Sequence, residues 1–502
     1  MDCATNILVA VILLILTFVI YKWLFSGWDY WTSRGIPSVP GALPIVGNTL
    51  SVFRLQENFA LFCKRIYDSN RDRSMVGFYN MKKPFLLLRD PELIKTVMQS
   101  NFSSFHDNDS TLDLDADPLL GRDLFFVRGQ YWKTLRPSFA SSFSMKRMKI
   151  MAHPIADTCK ILENHLKEKV SNKDYLELNA KFLFSRYTTE VAARSCFSID
   201  GNSFADDYRG TLLESMKLTM DPSMITAFRH NLLFFMPALS RFMKNSFVPH
   251  KVDKFFRLVV KDVESVRQKD GLARYDVMQQ TLDLEKEGKY PRIDVLGHLF
   301  SFFIESYETS SLTLSFMAYE LGKHPKIQDM VRSEVEAVLE RHKALTYEAI
   351  NELTYTEQVV NETLRIFPPA AALSKVCVEK YRLEGSDGLS LEVEPDTTLI
   401  IPILGIHRDP EIWDKPEEFN PERFRKGNSE ERHKFAHIPF GEGPRICPGM
   451  RLGLMQVKAA MATIVHNYRI ELSPKMKEPL TIDPGYFLTT AIGGFWIRMA
   501  RR

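Results

Sequence analysis

The chain has 502 residues, 45% of them hydrophobic and 12% aromatic, which suffices for a large buried core and exceeds the usual length of one domain. A formal net charge of +3 is too balanced for a protein whose main partner is nucleic acid, and no basic arm is present. Cysteines at 3, 63, 159, 196, 377 and 447 make neither a CxxC pair nor a dense secreted disulfide pattern, so the folded part reads as reducing and cytosolic.

The first element is apolar. Residues 7–24 read ILVAVILLILTFVIYKWL, interrupted only by Thr17 and Lys22; at about 1.5 Å per residue the helix is about 27 Å long and nearly spans a bilayer. Asp2 precedes it, and Lys22, Trp23, Trp28, Tyr30 and Trp31 follow, which is the wrong arrangement for a cleaved signal peptide and the right one for an uncleaved anchor. Lys22 and Arg34 favour a cytoplasmic C-terminal side, and the aromatic residues suit the interface. In RGIPSVPGALPIVGN, residues 34–48, Pro37, Pro40 and Pro44 predict an extended, stiff path from membrane to body. The expected organisation is therefore an anchor at 1–25, a proline-rich hinge at 26–48 and one folded body at 49–502.

In the body, helical periods dominate at 155–170, 292–323, 325–341 and 450–467, and β-like alternation is confined to short pieces such as 85–88, 397–401 and 494–499. The fold class is mainly α with small β-sheets. Residues 107–123 carry six aspartates in a loop that reads either as a pocket rim or as simply solvated. In GQYWKTLRPSF, Trp132 and Arg136 stand one helical turn apart and can face one planar, anionic ligand. MKRMKIM, residues 145–151, reads equally as a solvated helix face and as a docking face. The apolar NLLFFMPALSRF, residues 231–242, is either core or a second membrane-touching element, with Leu233, Phe234 and Phe235 as the expected contacts.

Chemistry-bearing residues follow. In FFIESYETSSLTLSF, Glu308 and Thr309 lie mid-helix in an apolar segment, where an unpaired carboxylate is costly. In VVNETLRIFPP, Glu362 and Arg365 share a helix face that Pro368 and Pro369 terminate. Arg423 sits in FNPERF, which has no helical or strand period. In PFGEGPRICPGMRLG, residues 439–453, Cys447 lies among turn-forming glycines and prolines just before a helix. A helix N-terminus and a nearby Arg445 would acidify this thiol and favour a thiolate, which binds metals or attacks electrophiles.

FGEGPRICPG resembles the heme-binding loop FxxGxRxCxG of the cytochrome P450 superfamily, and ETLR and FNPERF resemble its ExxR and PERF elements, in the right order. With the anchor and hinge, the likeness covers essentially the whole chain and is greatest to the insect microsomal branch that metabolises xenobiotics and lipids. It implies a P450 fold behind a transmembrane helix, with residues 49–502 binding heme b and the Cys447 thiolate coordinating iron. It places Phe440 beside the ligand loop, Arg445, Trp132 and Arg136 at the propionates, and Glu362, Arg365 and Arg423 in a buried charge triad. Glu308 and Thr309 match the catalytic acid and alcohol pair that relays protons on the distal side. Glu305 and Ser306 depart from the family's Ala-Gly. Glu305, four residues before Thr309, is expected near the heme edge, either esterified to a heme methyl as in the fatty-acid ω-hydroxylases, paired noncovalently with a cationic substrate or a neighbouring hydroxyl, or turned away.

The implied activity is a monooxygenase that inserts one atom of O2 into a hydrophobic small molecule. A peroxide-rearranging isomerase or dehydratase and a non-enzymatic heme sensor or carrier remain alternatives. No GxGxxG follows a strand, so electrons must come from a partner. The resemblance implies NADPH–cytochrome P450 reductase, with cytochrome b5 as a further candidate, meeting Lys133, Lys146, Arg147, Lys149 and Arg451 at the endoplasmic reticulum membrane.

Overall fold

The computed structural model of the chain describes residues 3–502 apart from 172, 221, 273 and 429–431. Helix Cys3–Phe25 stands clear of the body, with none of the window Thr5–Phe25 buried. Ile7, Leu14 and Phe18 expose more than half their surface, a state that apolar side chains reach stably only against lipid or a partner.

The proline-rich stretch behaves differently from the expected hinge. Trp31, expected at the membrane interface, is fully buried, and its indole N–H donates to the Phe78 carbonyl at 3.1 Å. Its ring covers Gly77, where a Cβ would lie 2.2 Å from the ring, so only glycine fits there. Val39 N–H donates to Gly77 O at 2.9 Å and Gly77 N–H to Pro37 O at 2.8 Å. Residues around 31–39 are thus docked on the sheet. Proline cannot donate, but its carbonyl accepts, and bridging needs no more.

The main sheet has five strands in the order Met75–Asn80, Lys83–Leu88, Thr398–Ile401, Leu373–Val376 and Asp107–Asn108. The first pair is an antiparallel hairpin with Met75 opposite Leu88. Lys83–Leu88 then runs parallel to Thr398–Ile401, with Phe85 opposite Thr398. Both of these central strands are continuous apolar runs because both sheet faces are covered. Tyr175–Asn179, Trp496–Arg501 and Tyr468–Leu472 form a second sheet, and Tyr381–Glu384 with Ser390–Val393 a third.

The helices match their predicted periods closely. Arg292–Lys323 and Met450–Asn467 have the predicted ends, and Pro325–His342 extends one residue further. Met145–Val170 begins well before residue 155, because Pro154 is carried inside the helix and its carbonyl is taken by the Thr158 hydroxyl at 2.7 Å. Arg292–Lys323 is the central helix. It is buried on all sides from Asp294 to Leu321 except at Glu305, Ser306 and Thr309, where it borders a void inside the protein. A helix apolar all round belongs in a core.

The expected membrane contacts at 231–242 are corrected. Leu233 and Phe235 are buried and Phe234 stacks on Phe487 at 4.6 Å. The outward face of helices Met224–Phe235 and Pro237–Phe242 carries Ile225, Phe228 and Phe242 instead, 75%, 59% and 85% exposed. The apolar run is long enough to fill both faces, and its period decides which residues turn inward.

Candidate active site

The loop before helix Met450–Asn467 is folded by its glycines. Gly443 adopts φ +73°, and a Cβ there would lie 1.9 Å from the Met98 carbonyl oxygen. Ile446 N–H donates to Gly443 O at 3.0 Å and Cys447 N–H to Phe440 O at 2.8 Å, closing the turn that carries the sulfur. Cys447 borders a cavity of about 260 Å³ together with Phe440, Trp132, Arg136, Glu305 and Thr309. Cys63, Cys159, Cys196 and Cys377 are buried in the cores and do not border it.

The expected acidification of Cys447 is not realised in the protein alone. Burial pushes its thiol up to about 12, the charge of Glu305 adds to this, and the Gly449 N–H and Arg136 pull only weakly the other way. Arg445 is engaged elsewhere, with Nη2 3.1 Å from Asp107 Oδ1 and donors on the carbonyls of Leu124, Val127 and His106. A coordinated metal ion would supply the positive charge that the sulfur lacks.

One edge of this cavity is cationic. Arg136 donates to Ile446 O at 2.5 Å, and Arg445 lies 4.3 Å over the Trp132 ring. Lys375, in strand Leu373–Val376, is 2% exposed and borders the same cavity, with its Nζ 2.9 Å from Asn108 Oδ1. Burial, aided by Arg445, pushes its ammonium down to about 7. Against these three cations stands the buried carboxylate of Asp107, so the edge has room for an anionic ligand. Sequence reasoning missed Lys375; the available signal was a lysine inside an apolar strand.

Across the cavity, the Thr309 hydroxyl donates to Glu305 O at 2.7 Å and the Ser306 hydroxyl to Phe302 O at 2.7 Å, each bonding back along its own helix. Glu305 and Thr309 also border a larger cavity of about 640 Å³, walled by Phe126, Phe234, Phe247 and Phe487. The two cavities therefore meet at these two residues, together with Phe125, Pro369, Ala370 and Leu373. Residues 37–497 match the family model described as Cytochrome P450.

The chain belongs to the cytochrome P450 family. It is 31% identical to Cytochrome P450 9e2 of Blattella germanica, covering 96% of each chain. It is 32% identical to Cytochrome P450 6k1 of the same organism, covering 94% of this chain and 93% of the other. It is also 32% identical to "Probable cytochrome P450 28d1" of Drosophila melanogaster, covering 99% of each. The protein is thus a P450 monooxygenase of the insect type, and the family's cofactor is heme with cysteine-ligated iron. The walls fit that group: a cysteine on one side, a cationic edge for carboxylates, and a small-residue opening in the central helix.

In this P450 the expected triad is assembled. Arg365 joins Glu362, and Arg423 Nε lies 3.3 Å from Glu362 Oε1. FNPERF forms a short 3-10 turn, Pro421–Phe424, whose Asn420 N–H also donates to Glu362 at 2.8 Å. Glu308 is the residue that departs from expectation. It borders the larger cavity and not the one at Cys447. It is 2% exposed, paired to Lys181 Nζ at 3.0 Å and accepting from the Tyr486 hydroxyl at 2.5 Å. One residue is about 100° of helix, so Glu308 turns from the face of Thr309 toward helix Ala180–Phe197. Neither Lys181 nor Tyr486 carries a local motif. The aspartates of 107–123 are not simply solvated either: Asp107 binds Arg445, and Asp117 accepts the N–H groups of Phe247 and Val248 at 2.7 and 2.8 Å.

Proposed function

We propose that this P450 is an endoplasmic reticulum enzyme that inserts one atom of O2 into a hydrophobic small molecule, with electrons from NADPH delivered by the membrane-bound flavoprotein reductase. The observation that carries the reading is the junction of the Cys447 cavity with the aromatic cavity at Glu305 and Thr309. Cys447 would hold the heme iron, and heme so ligated supplies dioxygen activation. Arg136, Arg445, Trp132 and Lys375 would orient the propionate edge, and Phe440 would pack beside the ligand loop. Ser306 and Thr309 keep small side chains at the opening, and the Thr309 hydroxyl is a proton donor at the junction. Glu308 lies one step further back, held by Lys181 and Tyr486, and would pass protons on only when one of those contacts opens.

Glu305 has a noncovalent role in this reading, because its carboxyl is met by Asp123. Heme that extracts completely as the free cofactor after turnover supports that role, and heme retained on the protein identifies an ester. Lys133, Lys146 and Arg451 are exposed and available to an acidic partner surface, whereas Lys149 is paired with Glu348 at 3.2 Å and Arg147 donates to the Tyr275 carbonyl at 2.8 Å. The exposed apolar helix Cys3–Phe25 and the apolar face around Phe228 and Phe242 suit a bilayer surface. The test is turnover of a hydrophobic substrate library with NADPH and reductase. Oxygenated product that requires both supports the reading; turnover of peroxides without either points to the isomerase alternative.

A further inference from the structure

Asp123 and Glu305 approach from different parts of the chain. Asp123 follows the short turn Leu120–Arg122, is 2% exposed, and accepts the Phe125 N–H at 2.6 Å. Glu305 projects from the central helix, and its exposed surface faces the cavity rather than bulk solvent. Both border the aromatic cavity, and their carboxyl groups lie close enough for each to act on the other. Two carboxylates in contact do not both ionise, and burial raises both groups, so the arrival of a cation favours the state with one proton and one negative charge.

The other charged side chains of that cavity have partners. Glu308 is paired with Lys181. Asp109 is held by Lys83 at 2.8 Å and Arg128 at 3.4 Å. Among the described residues, neither Asp123 nor Glu305 has an ion-pair partner; the nearest guanidiniums, Arg136 and Arg445, bind Ile446 O and Asp107. The cavity thus sets an acidic pair, with no ion-pair partner for its charge, in a wall of phenylalanine rings. Burying such a charge is costly until a cation with an N–H donor reaches it, and aromatic faces favour the same cation.

We propose that Asp123 and Glu305 together anchor the nitrogen of a hydrophobic amine substrate, so that this P450 selects lipophilic cations over neutral molecules of the same shape. This assignment rests on the monooxygenase reading of the cavity. A tertiary amine on a four-carbon chain from a phenyl ring would place its N–H at the pair and its hydrocarbon on the rings.

The experiment is equilibrium dialysis of N,N-dimethyl-4-phenylbutylamine and of its uncharged carbon isostere against the full-length heme-loaded protein at neutral pH. The amine is expected to bind at least about tenfold more tightly. Either single variant keeps one carboxylate that can ionise, so the double variant Asp123→Asn with Glu305→Gln is expected to bring the ratio near one while the affinity for the isostere stays unchanged. A ratio near one in the wild type, or a preference that survives in the double variant, overturns the proposal; the wild-type comparison needs no variant to fold. Oxygenation of a hydrophobic substrate with NADPH and reductase by the same preparations tests the monooxygenase reading separately, so its failure would appear there and not in the ratio.

Discussion

Arg365 clasps Glu362 through two parallel hydrogen bonds, Nε to Oε2 at 2.6 Å and Nη2 to Oε1 at 2.9 Å, with neither side chain exposed. Nη1 of Arg365 also donates to the His407 carbonyl at 2.8 Å. The pair therefore ties the helix Thr354–Ile366 to the segment that leads toward the Cys447 loop. Arg365→Lys keeps the charge but loses the fork, leaving a buried carboxylate short of donors. It is expected to cost about 3–5 kcal/mol. Urea unfolding of the purified protein measures this, and a change within error of zero would remove the structural role assigned here.

Cys447→Ala is expected to abolish the red-shifted Soret band of the reduced carbon monoxide complex, because only a sulfur ligand donates strongly enough to iron to produce it. Alanine substitution at Cys377 or Cys159, buried away from the cavity, leaves the band in place. Persistence of the band in Cys447→Ala would require another ligand.

Membrane contact has two parts with separate signatures. Removing residues 1–25 is expected to leave salt-resistant association through the face of Ile225, Phe228 and Phe242. Changing each of these to Ser lowers vesicle partitioning by about tenfold per side chain, the transfer free energy of a large apolar group. Leu233→Ser destabilises the fold instead, since Leu233 is 5% exposed. Flotation of the truncated protein with phospholipid vesicles checks both, and a truncated protein that never floats contradicts the contact.

Asp117 joins the loop of residues 107–123 to Phe247 and Val248. Burial pushes its carboxyl up to about 6 from 3.8, outweighing the two N–H donors. The folded state therefore holds a proton that the unfolded chain has released, and stability from this group is full below about pH 4 and declines as pH rises through about 6. Asp117→Asn removes that titration. The stability of the wild type relative to Asp117→Asn is expected to fall by up to about 3 kcal/mol between those limits. Unfolding curves at several pH values measure it, and parallel pH profiles for the two proteins would refute it.

What the sequence by itself determined was local: the apolar helix at the N-terminus, the period of the central helix, and the turn around Cys447, where Gly443 and the following helix start act within a few residues of one another. ExxR was legible for the same reason, since Glu362 and Arg365 are neighbours on one helix face. Tertiary structure alone decided the partners. Trp31 reaches Gly77 and converts an expected hinge into a docked segment. Lys181 takes Glu308 from 127 residues away, and the carboxylate borders the aromatic cavity and not the one at Cys447. Lys375 joins the cationic edge from a strand with no motif, and Asp123 meets Glu305 in the wall of the aromatic cavity. Backbone propensity and turn chemistry act over one or two helical turns, whereas charge pairing acts through space, and only the packed chain brings together groups so distant along it.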